Sequence, residues 1–565
     1  MPDSIQPAAP ERAPLPPRQL RTVFAGLMLA MVLAALDQNI VNTALPRIVA
    51  DLGGMAHISW VVTAFLLTST STTPLYGKLS DMYGRRPLFT VAIVVFLLGS
   101  ALCGVAQTMG QLIAFRAIQG LGAGGLLTLA QTAVGDVVSP RDRGKYQGLF
   151  TGVFALSSVA GPLIGGVLTS ALSWRWVFYV NLPVGALALA LIWAGLRQAP
   201  MTQSRRIDYL GAVLLTGGTT ALMLLLSWGG TTYAWASVVI GGLGAAVAVL
   251  FALFLFWERV APEPLIGLHL FRNRIYSSGV VTSGMMAYAM MGTTVFLPLY
   301  FQLVLGMSPA RAGMMMLPQV AGMLFSSVVG GRLVSSTGRY KAILLAGLGL
   351  EAAALVALAV LARWHPDVVV IEIAMLALGL GMGVGMPNVT TAVQNATNPR
   401  ELGVATSSMA FIRSLGGALG VTISGALMAA WLNSILAAQN VGVNVPALLE
   451  HGIQEVERLS GPEHAAVVGA YSQAISVSFT MSGIVMTLAF LLAATLPAVP
   501  LRGGPRRRTT AVSPPDGSGV VTGGNAMLAA ESADVGAIPE GTPATTPLPH
   551  AASTPAPSPV SAPQR

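Results

Sequence analysis

From residue 22 to residue 496 the chain is a succession of apolar runs, each near the ~20 residues that carry an α-helix across a bilayer. That pattern decides the secondary structure before propensity is weighed. Hydrocarbon offers no partner for a backbone N–H or C=O, so each run satisfies its own backbone as a helix. Only 9% of the 565 residues are charged, against about 25% in soluble domains. Fourteen candidate spans emerge, and the expectation is an all-α polytopic membrane protein.

Two stretches are one pattern written twice. Gly120, Gly122 and Gly124 precede Thr132-Ala133-Val134, Pro140-Arg141 and Gly144. Gly379, Gly381 and Gly383 precede Thr391-Ala392-Val393, Pro399-Arg400 and Gly403, each 259 residues after its twin. Upstream, Gly77-Lys78-Leu79 with Gly84-Arg85 echoes Gly331-Arg332-Leu333 with Gly338-Arg339, 254 residues on. An apolar chain of two related halves marks a secondary transporter, whose halves rock about a central site. Residues 208–256 have no twin, so the order reads six spans, two inserted spans, six spans.

The expected division follows. Residues 1–20 are a Pro-rich flexible lead-in, 21–200 the first six-helix bundle, and 201–260 the inserted pair. Residues 261–500 form the second bundle, with an outer loop at 432–470. Within that loop, 446–458 reads as an amphipathic helix near the membrane surface. Residues 501–565, rich in Pro, Ser, Thr, Ala and Gly, cannot bury a core and read as a disordered tail.

The net charge of +9 is a matter of topology. One side collects Arg18, Arg21, Lys78, Arg85, Arg86, Arg141, Arg143, Lys145, Arg205, Arg206, Arg272, Arg274, Arg332, Arg339, Lys341 and Arg506 to Arg508. The other holds Arg47, Arg175, Arg311, Arg363 and Arg458. Cytoplasmic loops carry such an excess, so both termini are expected in the cytoplasm, the chain in the cytoplasmic membrane, and no nucleic acid among its partners. Cys103 is the only cysteine, which excludes an internal disulfide and a thiolate cluster. The six histidines lack ligand spacing, and no nucleophile–base pair is apparent, so neither a metal site nor an enzyme is expected. A phosphate-binding Gly-x-x-x-x-Gly-Lys-[Ser/Thr] loop is absent. The expected driver is a proton gradient, with no cofactor.

A carboxylate inside a membrane helix costs about 2.5–3.5 kcal/mol on insertion scales and usually marks an ion or substrate path. Asp37 lies in the first span, in its outer half. Arg116, in the fourth span, is at similar depth and is its natural partner. Beside an arginine the carboxylate stays ionised; separated from it, desolvation favours the proton. The pair reads as a proton switch for which a cationic substrate competes, or as a fixed interhelical ion pair. Gln38, Asn42, Gln302, Gln319 and Asn388 are candidates for the cavity wall, or for hydrogen-bond glue between helices. Tyr300-Phe301 and the methionines at 314–316 read as an adaptable wall or as packing. Glu351, mid-span in the eleventh helix, reads as a structural or coupling carboxyl. Arg413 reads as a snorkelling side chain or a gate contact.

Residues Gly77 to Phe89, with Gly77, Asp81, Gly84, Arg85 and Arg86, resemble the signature loop of the major facilitator superfamily. The resemblance implies a latch between the halves on the cytoplasmic side, charge-clustered with Asp136, Asp142 and Arg143. The second copy has Ser335 in place of Asp81, which implies an asymmetric latch. Arg116, Gln119 and Gly120 resemble the family's fourth-helix motif, credited with a part in proton transfer. Gly152 with Gly161, Pro162 and Gly165 resembles its antiporter motif. Leu36-Asp37 with Asn42-Thr43-Ala44-Leu45-Pro46, and Trp174 to Phe178 with Asn181-Leu182-Pro183-Val184-Gly185, resemble motifs of the fourteen-helix drug:proton antiporters. The resemblance implies a major facilitator fold of two pseudo-symmetric bundles plus two helices, working as a monomer. It also implies proton-coupled export of amphipathic, cationic small molecules. A dedicated exporter of one metabolite, a proton-coupled importer and a non-transporting membrane sensor stay open as alternatives.

Overall fold

A computed structural model describes residues 16–53, 57–138, 142–196, 208–230, 232–364, 367–439 and 461–501, with Val456 and Leu459 between the last two stretches. The lead-in before residue 16, most of the 446–458 stretch and the tail beyond residue 501 lie outside the described residues. The described chain is helical; its one β contact is an isolated bridge between Gly229 and Tyr233. Thirteen of its helices are long and apolar enough to cross a membrane. A fourteenth crossing is Ile58–Tyr83, whose six consecutive hydroxyl residues, Thr68 to Thr73, lower its hydropathy.

The first half contains α1 (Pro17–Leu52), α2 (Ile58–Tyr83), α3 (Arg85–Val105), α4 (Met109–Val137) and α5 (Arg143–Ala171). Its sixth crossing breaks at Val180 into α6 (Trp176–Tyr179) and α7 (Asn181–Gly195). The inserted pair is α8 (Tyr209–Trp228) and α9 (Val238–Val260). The second half runs α10 (Arg274–Leu303), α11 (Pro309–Met315) with α12 (Leu317–Thr337), α13 (Tyr340–Trp364), α14 (Val368–Ala396), α15 (Leu402–Ala438) and α16 (Gly461–Ala494). Both ends of the 432–470 stretch are thus helical. The Ala- and Leu-rich residues to Ala438 extend α15, and Gly461, at φ +61°, starts α16. We call the end of the bundle that carries the start of α1 and the end of α16 proximal, and the opposite end distal.

Packing repeats from half to half. In the first, α4 lies on α2 and α3, and α1 on α5 and α7. In the second, α14 lies on α12 and α13, and α10 on α15 and α16. The buried apolar side chains form separate clusters, with residues 270–501 in one and residues 23–196 in others. The halves meet where α5 packs on α12 and α2 on α15.

The duplicated glycines explain the duplicated packing. A Cβ on Gly120 or Gly124 would lie 2.4 Å from Phe65 O or 2.3 Å from Ser69 O, both on α2. A Cβ on Gly122 would lie 2.4 Å from the Phe96 nitrogen on α3. In the second copy, Gly379 and Gly383 meet Gln319 O and Met323 O of α12, and Gly381 meets the Glu351 nitrogen of α13. Two faces of one helix are stripped of side chains so that two neighbours approach backbone to backbone. Without a hydrophobic drive between helices in lipid, this contact is what holds them.

Gly122→Ala is therefore expected to lower stability by about 1–3 kcal/mol, the range for overpacking. Gly166→Ala, whose added methyl meets nothing within 4 Å, is expected to be neutral or slightly stabilising because alanine is the better helix former. Thermal unfolding of the two purified variants in one detergent checks the difference.

Candidate functional site

Asp37, on α1, is fully buried, and its carboxylate is enclosed by donors from two other helices, α4 and α7. Arg116 Nη1 of α4 donates to Oδ2 at 2.6 Å. Gln119 Nε2, one turn further along α4, donates to Oδ1 at 2.8 Å. Asn181 Nδ2, at the break between α6 and α7, donates to the same oxygen at 2.7 Å and to Ser100 Oγ at 3.0 Å. Arg116 is 1% exposed and has support beyond the carboxylate. Its Nε donates to Val61 O at 3.2 Å and its Nη1 to Gln119 Oε1 at 2.8 Å. Its guanidinium carbon lies 4.1 Å from the centre of the Phe65 ring, a cation–π contact. A proton on Asp37 would remove the charge without leaving Arg116 bare.

Gln119, Asn181 and Ser100 complete the site beyond the two charges read from sequence. Gln119 was legible, because i and i+3 share a helix face. Asn181 and Ser100 become neighbours only through tertiary packing.

Gly161 and Gly165 lie along the back of this site, while Pro162 between them is exposed. A Cβ on Gly161 would lie 2.4 Å from Asn39 Cβ, and one on Gly165 3.0 Å from Ile40 O. The α5 glycines let α1 seat against α5 at the level of Asp37. Gly152 faces the other half, where its Cβ would lie 3.3 Å from Leu324 of α12.

At the proximal end the halves are joined by a carboxylate on a helix N-terminus. Asp81 of α2 accepts from Gly403 N at 3.0 Å and Val404 N at 2.8 Å, in the first turn of α15. The first N–H groups of a helix lack internal partners and attract anions. Arg85 holds Asp81 at 2.7 Å and Asp136 at 2.7 Å. Gly77 permits the contact, since a Cβ there would lie 2.6 Å from Gly403 O. Gly84, at φ +90°, makes the turn between α2 and α3. Beside them Lys78 pairs with Glu263, past the end of the inserted pair, at 2.8 Å.

Three members of the expected charge cluster meet other partners. Arg86 stacks over the Trp193 ring of α7 at 4.3 Å, because consecutive helical residues point about 100° apart. Arg143 donates to the carbonyls of Val138 and Gly135. Asp142 instead meets the second copy of the motif: Ser335 Oγ of α12 donates to its Oδ1 at 2.7 Å. Asp142 is the N-cap of α5, so each half's signature turn reaches the first turn of a helix in the other half.

The remaining candidates scatter. Gln319 and Asn388 are buried, with Gln319 Oε1 and Asn388 Oδ1 lacking a donor. Gln38 is partly buried and Asn42 exposed on α1. Gln302 bonds back to Pro298 O of its own helix at 3.3 Å. Tyr300 and Phe301 are core residues of the second half rather than cavity wall. Met315 is buried and Met314 exposed. Glu351 occupies the α13 position that faces Gly381, where Phe96 faces Gly122 in the first half; its Oε2 is buried without a donor.

The sequence matches the family profile of the Major Facilitator Superfamily over residues 27–421. An uncharacterized MFS-type transporter of Mycobacterium tuberculosis is 37% identical over 506 residues, covering 88% of this chain and 73% of that one. The multidrug transporter protein MdtP of Bacillus subtilis is 39% identical over 414 residues, covering 73% and 76%. Among solved structures, the proton:xylose symporter XylE superposes with a TM-score of 0.57 at 13% identity, covering 86% of this chain and 98% of that one. With its two repeated bundles, the fourteen helical crossings among its described residues and these relatives, the chain belongs to the major facilitator superfamily.

Proposed function

We propose that this transporter is a proton-coupled antiporter that exports amphipathic small molecules, cations among them, across the cytoplasmic membrane, with the proximal end facing the cytoplasm. The carrying observation is Asp37, a fully buried carboxylate held by Arg116 at 2.6 Å and by two amides. The names of two relatives, a multidrug transporter and an efflux pump, support the direction and substrate breadth.

The proposed cycle starts with the proximal seam closed by Asp81. A proton arriving from the distal side neutralises Asp37 and loosens its hold on Arg116, which keeps its carbonyl, amide and ring partners. The helices that Asp37 had tied together, α1, α4 and α7, are then free to shift. Rocking breaks the Asp81 contact with α15 and opens the proximal side. Substrate enters, the proton leaves to the cytoplasm, and the re-formed ion pair favours return. A membrane potential of 100 mV supplies about 2.3 kcal/mol for each charge moved.

Inside-out vesicles with an acidic lumen and a pH-sensitive dye test the coupling. Lipophilic cations are expected to trigger proton release with the wild type. Asp37→Asn, which keeps the shape of the side chain, is expected to abolish that release. Cation-driven release that survives in Asp37→Asn would overturn the role given to Asp37. Release by one compound alone would identify a dedicated exporter.

Asp81→Asn weakens the anionic cap on α15 and is expected to shift the population toward the proximally open state. Spin labels at Tyr83 and Arg400, placed after Cys103→Ser, read this as growth of a longer distance in the variant. An unchanged distance distribution would remove Asp81 from the gate.

A further inference from the structure

Besides Asp37 and Arg116, the ionisable side chains of Glu351 and Arg413 lie deep in the spans, and no ion pair found among the described residues includes them. Arg413 is the one whose surroundings point to a ligand. It belongs to α15, nine residues past Val404, which at 1.5 Å per residue puts it on the order of 13 Å inside the Asp81 latch. Arginine stays charged in essentially any protein setting. Its neighbours Phe411 and Leu415 pack against the inserted pair, and Ile412 and Gly416 lie against Gly284 of α10. Arg413 itself turns to the seam between the halves. Rather than reaching for the membrane surface, its Nη2 donates to Gln131 Oε1 of α4 at 3.4 Å, a long contact to a neutral amide.

None of the ion pairs found among the described residues includes Arg413. Its side chain remains partly exposed. The surrounding groups are polar and come from both halves. Gln394 Nε2 of α14 donates to Gln131 O at 3.1 Å and to Thr406 Oγ1 at 3.4 Å. Gln394 Oε1 is buried with no donor. The cluster therefore offers a cation without a counter-ion beside an acceptor without a donor.

We propose that Arg413, with Gln131 and Gln394, receives an anionic group of the transported molecule, a carboxylate. The guanidinium supplies the planar fork that binds carboxylates through paired, charge-assisted hydrogen bonds. Gln394 Oε1 favours a carboxylate carrier that also bears an O–H or N–H. The bonds from Arg413 and Gln394 to Gln131 cross the seam, so they part when the proximal side opens, which frees the cluster for a molecule entering there. Arg413 then sets charge preference, widening the substrate class from cations to zwitterions and anions. The inference rests on the export reading above.

The test uses full-length protein and two probes: a rhodamine with a free carboxylate, and the same dye as its ethyl ester. Binding to purified wild type, Arg413→Gln and Arg413→Lys is read by fluorescence anisotropy, and proton release by the vesicle assay. The expected result is at least tenfold weaker binding of the acid by Arg413→Gln, with the ester within twofold of wild type and Arg413→Lys in between. Equal loss of both dyes in Arg413→Gln would make Arg413 a structural tie and overturn the proposal. So would undiminished acid binding in that variant, or a folded wild type that binds only the ester. Ester binding without proton release in the wild type would count against the export reading, while the acid-to-ester comparison still decides the role of Arg413.

Discussion

In lipid an apolar side chain gains nothing by turning from the tails to another helix, so the bundle depends on how closely backbones approach. The glycines of α4 and α14 supply that approach on two faces each. Gly122 and Gly381 would each bring a Cβ within 3 Å of a backbone nitrogen of the neighbouring helix. This contact fixes α2, α3 and α4 as one rigid unit, and α12, α13 and α14 as its twin. It also sets the height of Arg116 and Gln119, which occupy the turn of α4 just before its glycines. A carboxylate site needs its donors held within about 0.5 Å of the required geometry, and the rigid unit holds Arg116 and Gln119 in place.

Rigid halves make a seam that differs in kind from their interiors. Each half closes its own apolar cores, and the described contacts across the proximal seam include Asp81 on the N–H groups of α15, Ser335 on Asp142, and Gln394 and Arg413 on Gln131. Polar contacts exchange for water or ligand at low net cost, about 0.5–1.5 kcal/mol for a typical hydrogen bond. Breaking an apolar core exposes far more. The seam is accordingly the place where the molecule can open without unfolding, and the charge on Asp37 lies inside one half, where it can alter how α1, α4 and α7 fit together.

Much of this was legible in the sequence, and the limits are physical. The apolar runs gave the crossings, and the 259-residue offset gave the two halves, because both are one-dimensional patterns. Asp37 and Arg116 were legible as a pair because each charge is costly in hydrocarbon and both lie at one depth. Asn181 and Ser100 were not, because a neutral amide and hydroxyl are ordinary in membrane helices and only the α6–α7 break brings them to Asp37. The motif places Arg86 with the latch, yet helical rotation sends it to Trp193. Tyr300 and Phe301, adjacent in sequence, both turn into the core of the second half, which no spacing rule distinguishes from a cavity wall.

The asymmetry of the latch follows from the same duplication. The repeat relates Asp142 to Glu401, 259 residues apart, and these are the N-caps of α5 and α15. In one contact the carboxylate comes from the signature turn, and Asp81 caps α15 from across the seam. In the other it comes from the capped helix, and Ser335 offers a neutral hydroxyl to Asp142. A charge on a helix N-terminus is held by backbone N–H groups and the helix dipole, whereas the Ser335 hydroxyl brings no charge to Asp142. In the proposed cycle, opening of the proximal side therefore has to break the charged α2–α15 contact. In the proposed cycle a proton on Asp37 acts within the half that carries Asp81, so the proton site and this carboxylate bolt belong to one half.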